Sequence, residues 1–461
     1  MAKEKRKFYI TTSIAYTNAL PHIGFALELV QADVLARYHR VFLGEDVFFL
    51  TGTDEHGLKI ERKARKEGKT PEELTDRFSS SFLALTKVLN ISNNDFIRTT
   101  DKKRHWPTVE KIWKELEKRG DIYKKKYKGL YCVGCEAFIK EKDLIKGECP
   151  DHRIEPELVE EENYFFKLSK YSNDIKKAIE KGNIEIIPKG RKNEMLAIIK
   201  TGIQDVSFSR PKNKLSWGIP VPGDNSQTIY VWADALVNYL FPKNFWPADI
   251  HCLGKDILKF HALIWPGMLF SLGLPRPKKI FVHGFITSSG QKMSKSLGNV
   301  IDPSELIEKY GADPVRYFLL REIPPTEDGD FTHQKFEERY NADLAKGLGN
   351  LLARVLKISE GIKINDGKQD IIEKTKVKYE KAVNEFKFNE ALSSVWEIIS
   401  YCDKIIEKEK PWEGGKEKIV AKLLYALDVI ANLINPFLPE TSERIKNQLK
   451  KRQNRPLFPR I

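Results

Sequence analysis

The first fifty residues alternate between a strand pattern and a helix pattern, and this alternation restricts the fold more than any other feature. Residues Phe8 to Ile14 form a β-rich run that ends in small polar residues. A helical period follows, with an apolar face made of Leu27, Val30, Val34, Leu35, Tyr38 and Val41. Gly44 ends this helix, and Val47 to Leu50 predict the next strand. Strand, helix and strand at this spacing form a βαβ unit and therefore a parallel sheet.

The strand pattern is interrupted and later resumes. After Gly120 the chain changes to Lys-rich turns around a group of cysteines, which indicates an insertion. Strand-like runs return at Thr228–Ala233, Ile250–Leu253 and Ile280–Ile286. We therefore expect a doubly wound, Rossmann-like parallel sheet that is split by the insertion. Its ligand should lie at the carboxyl ends of the strands.

Helical patterns replace strand patterns beyond about Phe331. One long helix is predicted from Asn389 to Lys408, with an inward face made of Leu392, Val395, Trp396, Ile399 and Ile406. The predicted fold is thus α/β, followed by an α-helical bundle. The predicted domains are the first half of the sheet domain (1–120), the insertion (121–227), the second half (228–330) and the bundle (331–461).

Composition narrows the class of protein. A chain of 461 residues is too long for one core, so two to four domains are expected. The net charge of +14 favours a polyanionic partner, although a Lys-rich surface also serves solubility. No apolar run approaches the ~20 residues that span a bilayer, and the basic stretch Met1 to Lys7 precedes no secretion signal. A cytoplasmic protein without a membrane partner is expected.

Three of the five cysteines lie close together in the predicted insertion. Cys132-x-x-Cys135, followed by Cys149-x-x-His152, supplies thiolate and imidazole ligands at a spacing that suits tetrahedral Zn²⁺. Because all four positions are filled by protein, the predicted zinc site is structural. Redox chemistry by the first cysteine pair is the alternative, and the nearby third cysteine and histidine argue against it. Cys252 and Cys402 stand alone and are expected to be core thiols.

Two motifs suggest a nucleotide site. Pro21-His22-Ile23-Gly24-Phe25 lies between a strand and a helix, where backbone N–H groups attract phosphate and glycine permits close approach. Taken alone, such a segment is usually just a turn. Lys292-Met293-Ser294-Lys295-Ser296 follows Ser288-Ser289-Gly290, and a loop with two lysines and two hydroxyls suits a triphosphate whose charge develops on leaving pyrophosphate.

The lysine motif resembles the signature of class I aminoacyl-tRNA synthetases. The resemblance implies that His22, Lys292 and Lys295 are catalytic. It further implies an ATP site made of His22, Gly24, Gly254, Asp256, Lys292, Ser294, Lys295 and Ser296. The first motif of that class usually ends in a second histidine, and here Phe25 occupies the position. Phenylalanine donates no hydrogen bond to ribose or phosphate.

Further segments bear on the substrate. Thr51-Gly52-Thr53-Asp54-Glu55-His56-Gly57 follows a strand, so a carboxylate there could pair with an ammonium group. A surface turn or a set of metal ligands is the alternative for Asp54, Glu55 and His56. A dense run of aromatic residues begins at Tyr230 and continues to Trp265. By pattern alone these aromatics would be core residues, but aromatic packing also suits an unbranched thioether.

These segments resemble methionyl-tRNA synthetases over nearly the whole chain. The resemblance implies that Asp54 binds the amino group of methionine and that the Tyr239 hydroxyl and a main-chain N–H near Ile14 face the sulfur. It implies one zinc knuckle in the insertion. The implied methionine pocket consists of Ser13, Ile14, Tyr16, Asp54, Trp232, Ala235, Tyr239, Ile257, Phe260, His261 and Trp265.

Three residues of the predicted bundle suggest contact with RNA. Asn350 and Arg354 lie four positions apart and so share a helix face, and Trp412 follows Pro411 in a charged turn. An exposed tryptophan stacks on an unpaired base, whereas Arg and Asn bond to base edges. A packing role for Trp412 is the alternative. The resemblance implies that all three residues bind the CAU anticodon of tRNA(Met).

The expected activity is that of a methionine–tRNA ligase. ATP with Mg²⁺ would convert L-methionine to methionyl-adenylate, and the methionyl group would pass to the 3′ adenosine of tRNA(Met). A class I synthetase for cysteine or a branched aliphatic amino acid is one alternative, although the latter needs an editing insertion for which there is no room. A non-catalytic RNA-binding zinc protein is another. Because the chain ends soon after the bundle, a monomer is expected.

Overall fold

The protein is represented by a computed structural model that describes residues 5–150, 153–293, 298–364 and 369–461. The chain divides into two compact units. The first contains Met1–Pro21, Glu45–Ala84 and Asn93–Val282. The second contains His22–Gly44, Leu85–Ser92 and His283–Ile461. Each unit is therefore built from segments that are far apart in the sequence.

The elements follow one another from strand-rich to helix-rich regions. The strands are β1 Lys7–Thr12, β2 Ala15–Tyr16, β3 Asp46–Asp54, β4 Asp95–Arg98, β5 Ile122–Cys132, β6 Ala137–Ile139, β7 Glu157–Phe166, β8 Glu185–Ile187, β9 Val206–Ser207, β10 Ser209–Pro211, β11 Pro220–Val221, β12 Asp224–Ile229, β13 Ile250–Gly254, β14 Lys279–His283, β15 Ile286–Ser288, β16 Gln291–Lys292 and β17 Gly329–Phe331. The helices are α1 Ile23–Val41, α2 Leu58–Lys66, α3 Pro71–Val88, α4 Trp106–Lys118, α5 Ser172–Glu180, α6 Lys189–Lys200, α7 Val231–Ala235, α8 Trp265–Leu272, α9 Pro303–Tyr310, α10 Ala312–Arg321, α11 His333–Arg339, α12 Asn350–Lys357, α13 Asp370–Asn384, α14 Phe388–Glu409, α15 Glu417–Ile434 and α16 Pro439–Lys451.

The main sheet of the first unit has the strand order β2-β3-β1-β13-β14-β8, and β4 also pairs with β3. Strand β1 pairs in parallel with both β3 and β13. Strand β3 pairs in parallel with β2 and β4. The parallel sheet predicted from the strand–helix–strand pattern is confirmed, and the side chains of β1 and β13 are almost all buried.

The predicted insertion contributes two further sheets. One has the order β6-β5-β7-β9, and its long β5–β7 ladder runs antiparallel from Ile122 opposite Phe166 to Tyr131 opposite Glu157. The other has the order β10-β12-β11. Strand β8 also lies between residues 121 and 227, but it pairs in parallel with β14 of the main sheet. The segment assigned to the insertion therefore also supplies an edge strand of the main sheet.

Three local predictions were wrong. The run Thr228–Ala233 is a strand only up to Ile229 and a helix from Val231, because a stretch that is buried on all sides has no period that separates strand from helix. The run Ile280–Ile286 forms two strands in different sheets. At the break, a Cβ atom on Gly284 would lie 2.2 Å from the Glu327 carbonyl oxygen. Val41 is 55% exposed at the end of α1.

The second unit is largely helical, and after β17 the described residues contain no strand. The predicted helix from Asn389 to Lys408 corresponds to α14, with Val395 and Ile399 buried as expected. Trp396 is only partly buried, and its ring packs on the Tyr317 ring with the two centroids 4.8 Å apart. A membrane-crossing helix would need a long apolar stretch, and none of the helices formed by the described residues has one.

Candidate functional site

The carboxyl edge of the main sheet brings several predicted site residues together. Tyr16 ends β2 and lies opposite Asp54, which ends β3. The Thr17 N–H donates to the Asp54 carbonyl oxygen at 3.0 Å, and the Ser13 N–H donates to the Cys252 carbonyl oxygen at 2.9 Å. Because parallel strands end at the same edge, residues from distant parts of the chain converge there, as is typical of ligand sites in α/β sheets.

The Asp54 carboxylate is buried and incompletely partnered. The backbone N–H of His56 donates to it, but its Oδ1 atom has no hydrogen-bond partner among the described residues. Burial raises the pKa of Asp54 well above its usual value, and the nearby Asp234 charge raises it further. A buried carboxylate in this state is stabilised by a cation that reaches Oδ1.

The adjacent Glu55 is also buried, yet its carboxylate is fully partnered. Arg98 donates to its two oxygens at 2.7 and 2.8 Å, and the Thr53 hydroxyl donates at 2.6 Å. Since Asp54, Glu55 and His56 are all buried, the surface-turn alternative was wrong. In the part of the chain that the structure describes, the group of side chains suited to a metal is the cysteine cluster, so the metal-ligand alternative gains no support.

The aromatic residues of the predicted pocket contact one another in the first unit. The Trp232 and Phe260 rings stack with centroids 3.8 Å apart, and the Tyr239 and Trp265 centroids are 6.1 Å apart. The His261 ring lies beside the Trp232 ring, with the two centroids 6.1 Å apart. Tyr16 and Ile257 pack against the same buried cluster. These contacts form one aromatic cluster.

His261 connects two members of this pocket. Burial lowers the pKa of His261 to about 4, so the ring is neutral near pH 7. Its Nδ1 lies 3.0 Å from the Ile257 carbonyl oxygen, which can only accept, so Nδ1 carries the proton. Its Nε2 then accepts from the Tyr239 hydroxyl at 2.8 Å. The neutral histidine therefore fixes the orientation of the tyrosine hydroxyl.

A buried carboxylate in the first unit is bound by two histidines and was missed in the sequence. Asp234 is 2.6 Å from His56 Nδ1 and 2.6 Å from His105 Nε2, and all three side chains are buried. Burial acts to raise the pKa of Asp234, but the two histidines outweigh it and lower the pKa. His56 lies in the segment that follows β3, and Asp234 lies in the aromatic run that begins at Tyr230, but nothing in either segment indicated that the two residues are in contact.

His22 shapes the turn before α1 in the second unit. It is the N-cap residue, and its Nδ1 accepts from the Gly24 N–H at 3.1 Å. A Cβ atom on Gly24 would lie 2.9 Å from His22 Cε1, so glycine permits the ring to fold over the turn. Because Nδ1 accepts, the neutral ring carries its proton on Nε2. Phe25 is partly buried in the first helical turn.

The other predicted nucleotide residues occupy two places. In the first unit, Gly254 is buried at the end of β13 and Asp256 is exposed in the following 3₁₀ turn. In the second unit, Lys292 is exposed at the end of β16. Ser294, Lys295 and Ser296 lie outside the described residues.

Asp330 was also missed and supports the hairpin that precedes Lys292. Its Oδ1 accepts from the Thr287 hydroxyl and from the Gly290 N–H, both at 2.7 Å. Ser289, between them, has a φ of 52°. This carboxylate on β17 therefore holds the β15–β16 turn from which the lysine motif continues.

The three clustered cysteines point their sulfur atoms toward one another. The Sγ atoms of Cys132, Cys135 and Cys149 all lie within 4.8 Å of one another, and the last two are 3.5 Å apart. The Cys135 N–H donates to Cys132 Sγ at 3.5 Å, as expected for a knuckle. Thiolates about 2.3 Å from a tetrahedral zinc ion need similar separations. His152, the predicted fourth ligand, lies outside the described residues.

The predicted anticodon residues are accessible on the second unit. Asn350 is exposed at the start of α12. Arg354, one turn later, is one-third exposed and forms an ion pair of 3.2 Å with Asp403, which the sequence did not reveal. Trp412 follows α14 and is 56% exposed. A ring exposed to that degree argues against the packing alternative.

Known proteins are similar to this chain over nearly its whole length. The family model for tRNA synthetases class I (M) matches residues 8–157 and 152–356. The methionine–tRNA ligase of Thermotoga maritima is 43% identical over 95% of this chain and 74% of that protein. The chain belongs to the methionyl-tRNA synthetase family. The methionine–tRNA ligase of Clostridium perfringens is 44% identical over 96% of this chain and 73% of its own length.

Two further comparisons extend the methionyl-tRNA synthetase resemblance to both units. The model for the anticodon-binding domain of tRNA ligase matches residues 370–456. The structure of Mycobacterium tuberculosis methionyl-tRNA synthetase in complex with methionyl-adenylate superimposes with a TM-score of 0.91. It is 34% identical and covers 99% of this chain and 100% of that one. The predicted family, fold class and ligase activity are confirmed, whereas the roles of individual residues stay predictions.

Proposed function

We propose that this member of the methionyl-tRNA synthetase family binds methionine at the edge of the main sheet, with Asp54 as the ligand of its amino group. The observation that carries this assignment is the buried Asp54 Oδ1 atom, which has no hydrogen-bond partner among the residues that the structure describes. An ammonium group at Oδ1 would replace the missing partner and favour the ionised carboxylate. Such an ion pair selects a free amino acid over a molecule that lacks the amino group.

Methionine's side chain would occupy the aromatic environment of Trp232, Phe260 and His261. A thioether is polarizable and accepts hydrogen bonds weakly, so aromatic contact and shape provide most of its recognition. Tyr239, whose hydroxyl is oriented by His261, would face the sulfur. Ala235, Ile257 and Trp265 complete the proposed pocket, and Ser13, Ile14 and Tyr16 would form its floor.

Adenylate formation needs positioning and charge stabilisation more than a protein nucleophile. A carboxylate oxygen of methionine attacks the α-phosphorus of MgATP, and the bond to the bridging oxygen breaks to release pyrophosphate. His22 Nε2–H, Lys292 and Lys295 would stabilise the charge on the phosphate oxygens. Gly24, Gly254, Asp256, Ser294 and Ser296 complete the proposed ATP site.

Transfer to tRNA follows from the adenylate. A hydroxyl of the 3′ adenosine attacks the methionyl carbonyl carbon, and AMP leaves. Trp412 would stack on an anticodon base of tRNA(Met), and Asn350 and Arg354 would bond to base edges. Cys132, Cys135, Cys149 and His152 would hold one Zn²⁺ ion, which cross-links the insertion and takes no part in the reaction.

Pyrophosphate exchange into ATP tests the substrate assignment. We expect exchange with methionine, weaker exchange with norleucine and almost none with valine, since one branch or methylene in such a pocket is worth ~1–3 kcal/mol. Exchange that prefers cysteine or a branched aliphatic amino acid would favour another class I specificity. Absence of exchange with all twenty amino acids, in protein that binds tRNA, would favour a non-catalytic RNA-binding role.

A further inference from the structure

One buried carboxylate in the first unit has no role in the reaction described above. Glu136 directly follows the zinc-knuckle residue Cys135, and only 4% of its surface is exposed. Its φ of 53° places it in the left-handed region, which few residues other than glycine, asparagine and aspartate adopt. Burying a carboxylate costs free energy unless its oxygens are bonded, so its partners indicate what the position is built to hold.

Both oxygens of Glu136 accept hydrogen bonds, and the donors come from different parts of the first unit. Oε1 accepts from the Tyr16 hydroxyl at 2.9 Å and from the Lys59 N–H at 2.6 Å. Oε2 accepts from the Tyr131 hydroxyl at 2.8 Å. Tyr131 belongs to the insertion, whereas Tyr16 ends β2 beside Asp54. One carboxylate therefore joins the insertion to the proposed floor of the methionine pocket.

Gly57 supplies an independent observation on the same contact. A Cβ atom at this position would lie 2.5 Å from the Tyr16 hydroxyl and 3.0 Å from Glu136 Oε1. Its φ of 122° is one that side chains rarely adopt. Gly57 lies beside the tyrosine–glutamate pair, and only glycine, which has no Cβ atom, leaves room there for the hydrogen bond.

The Tyr16 side chain packs against two buried clusters, and its hydroxyl donates to Glu136. Tyr16 lies in a strand of only two residues, and the residue as a whole is partly exposed. We propose that Glu136 is a positioning residue for methionine, which holds the Tyr16 hydroxyl so that the tyrosine ring forms the floor of the pocket. The inference rests on the proposed function, because it takes Tyr16 to be part of that pocket.

The test measures pyrophosphate exchange against methionine and ATP concentration separately. Glu136→Ala should raise the KM for methionine about tenfold, the usual consequence of losing a charge-assisted hydrogen bond, and leave the KM for ATP within about twofold. Glu136→Gln keeps an amide oxygen for Tyr16 and should restore most of the methionine KM. If Glu136 only supports folding, fewer active molecules would lower kcat while both KM values stay unchanged.

Tyr131→Phe is the matched control. It removes one hydroxyl from the same carboxylate, but at the oxygen that does not contact Tyr16, so the KM for methionine should change less than about twofold. Tyr16→Phe should raise it about as much as Glu136→Ala, and the double variant should show little additional effect, because both changes break one contact. Additive effects, or an equal rise in Tyr131→Phe, would overturn the inference.

Asp54→Asn separates failure of this inference from failure of the pocket assignment. If Asp54→Asn raises the KM for methionine and Glu136→Ala does not, the pocket assignment stands and the role of Glu136 is refuted. If Asp54→Asn and Tyr16→Phe both leave it unchanged, the pocket itself is wrongly assigned and the inference fails with it. A circular-dichroism melt of each variant checks that it is folded.

Discussion

Replacing Asp54 by asparagine should stabilise the fold and impair methionine activation at the same time. Burial and the charge of Asp234 raise the pKa of Asp54, so the folded chain holds this proton to a higher pH than the unfolded chain does. The ionised carboxylate therefore lowers the free energy of unfolding as the pH rises above about 4, the ordinary value for aspartate. Asparagine has no charge to bury, and the variant should lack this loss.

The raised pKa of Asp54 fixes the direction of the stability effect. We expect Asp54→Asn to have a higher free energy of unfolding than the wild type near pH 8 and nearly the same value near pH 4. The methionine ammonium group would lose a buried ion-pair partner, a loss of about 3–5 kcal/mol. The kcat/KM for methionine should therefore fall by roughly two to four orders of magnitude.

Glu55→Gln provides the matched control, since the two carboxylates are adjacent and both are buried. Glu55 is paired with Arg98, so its loss should lower the free energy of unfolding by about 1–2 kcal/mol, a modest value because Arg98 is partly exposed. Urea denaturation near pH 8 and near pH 4, with pyrophosphate exchange measured on the same preparations near pH 8, measures both effects. If Asp54→Asn is destabilised like Glu55→Gln, or keeps its kcat/KM within about threefold, the account of Asp54 is wrong.

Three further predictions concern the other sites. Lys292→Ala should lower the kcat of pyrophosphate exchange about 10²-fold or more with little change in methionine KM, because the charge it meets develops in the transition state; an unchanged kcat with weaker methionine binding would contradict this role. Metal analysis should find about one zinc ion per chain and much less in Cys149→Ala, and folded, active wild-type protein without metal would exclude the site. Trp412→Ala should weaken tRNA charging by ~1–3 kcal/mol while adenylate formation and thermal stability stay constant; a parallel fall in both reactions would support the packing alternative.

Local patterns determined the class of fold. The βαβ unit and the helix around Val395 were predictable because a buried face repeats at 3.6 residues in a helix, and because strand and helix alternate when parallel strands are connected. The spacing of Cys132, Cys135 and Cys149 predicted a cluster for a similar reason, since each knuckle is a short-range turn. The prediction of the family, which the comparisons confirm, depended on short motifs and on resemblance along the chain.

The run Thr228–Ala233 shows a limit of predicting secondary structure from local sequence patterns. Nearly every side chain there is buried, and neither period is visible when all sides of an element face the core. Whether such a run is strand or helix depends on the surrounding layers. The same holds for β8, whose three residues pair with β14 from within a segment assigned to the insertion.

The sequence pattern by itself indicated a carboxylate after β3, but it did not distinguish Asp54 from Glu55, and only the family resemblance implied Asp54. Only the tertiary structure shows that Arg98 satisfies Glu55 and that Asp54 Oδ1 has no partner among the described residues. It also brings Asp234 to His56 across 178 positions of sequence. Hydrogen bonds and charge burial depend on distances of a few ångströms between segments that the folded sheet brings together, and no spacing along the chain specifies those distances.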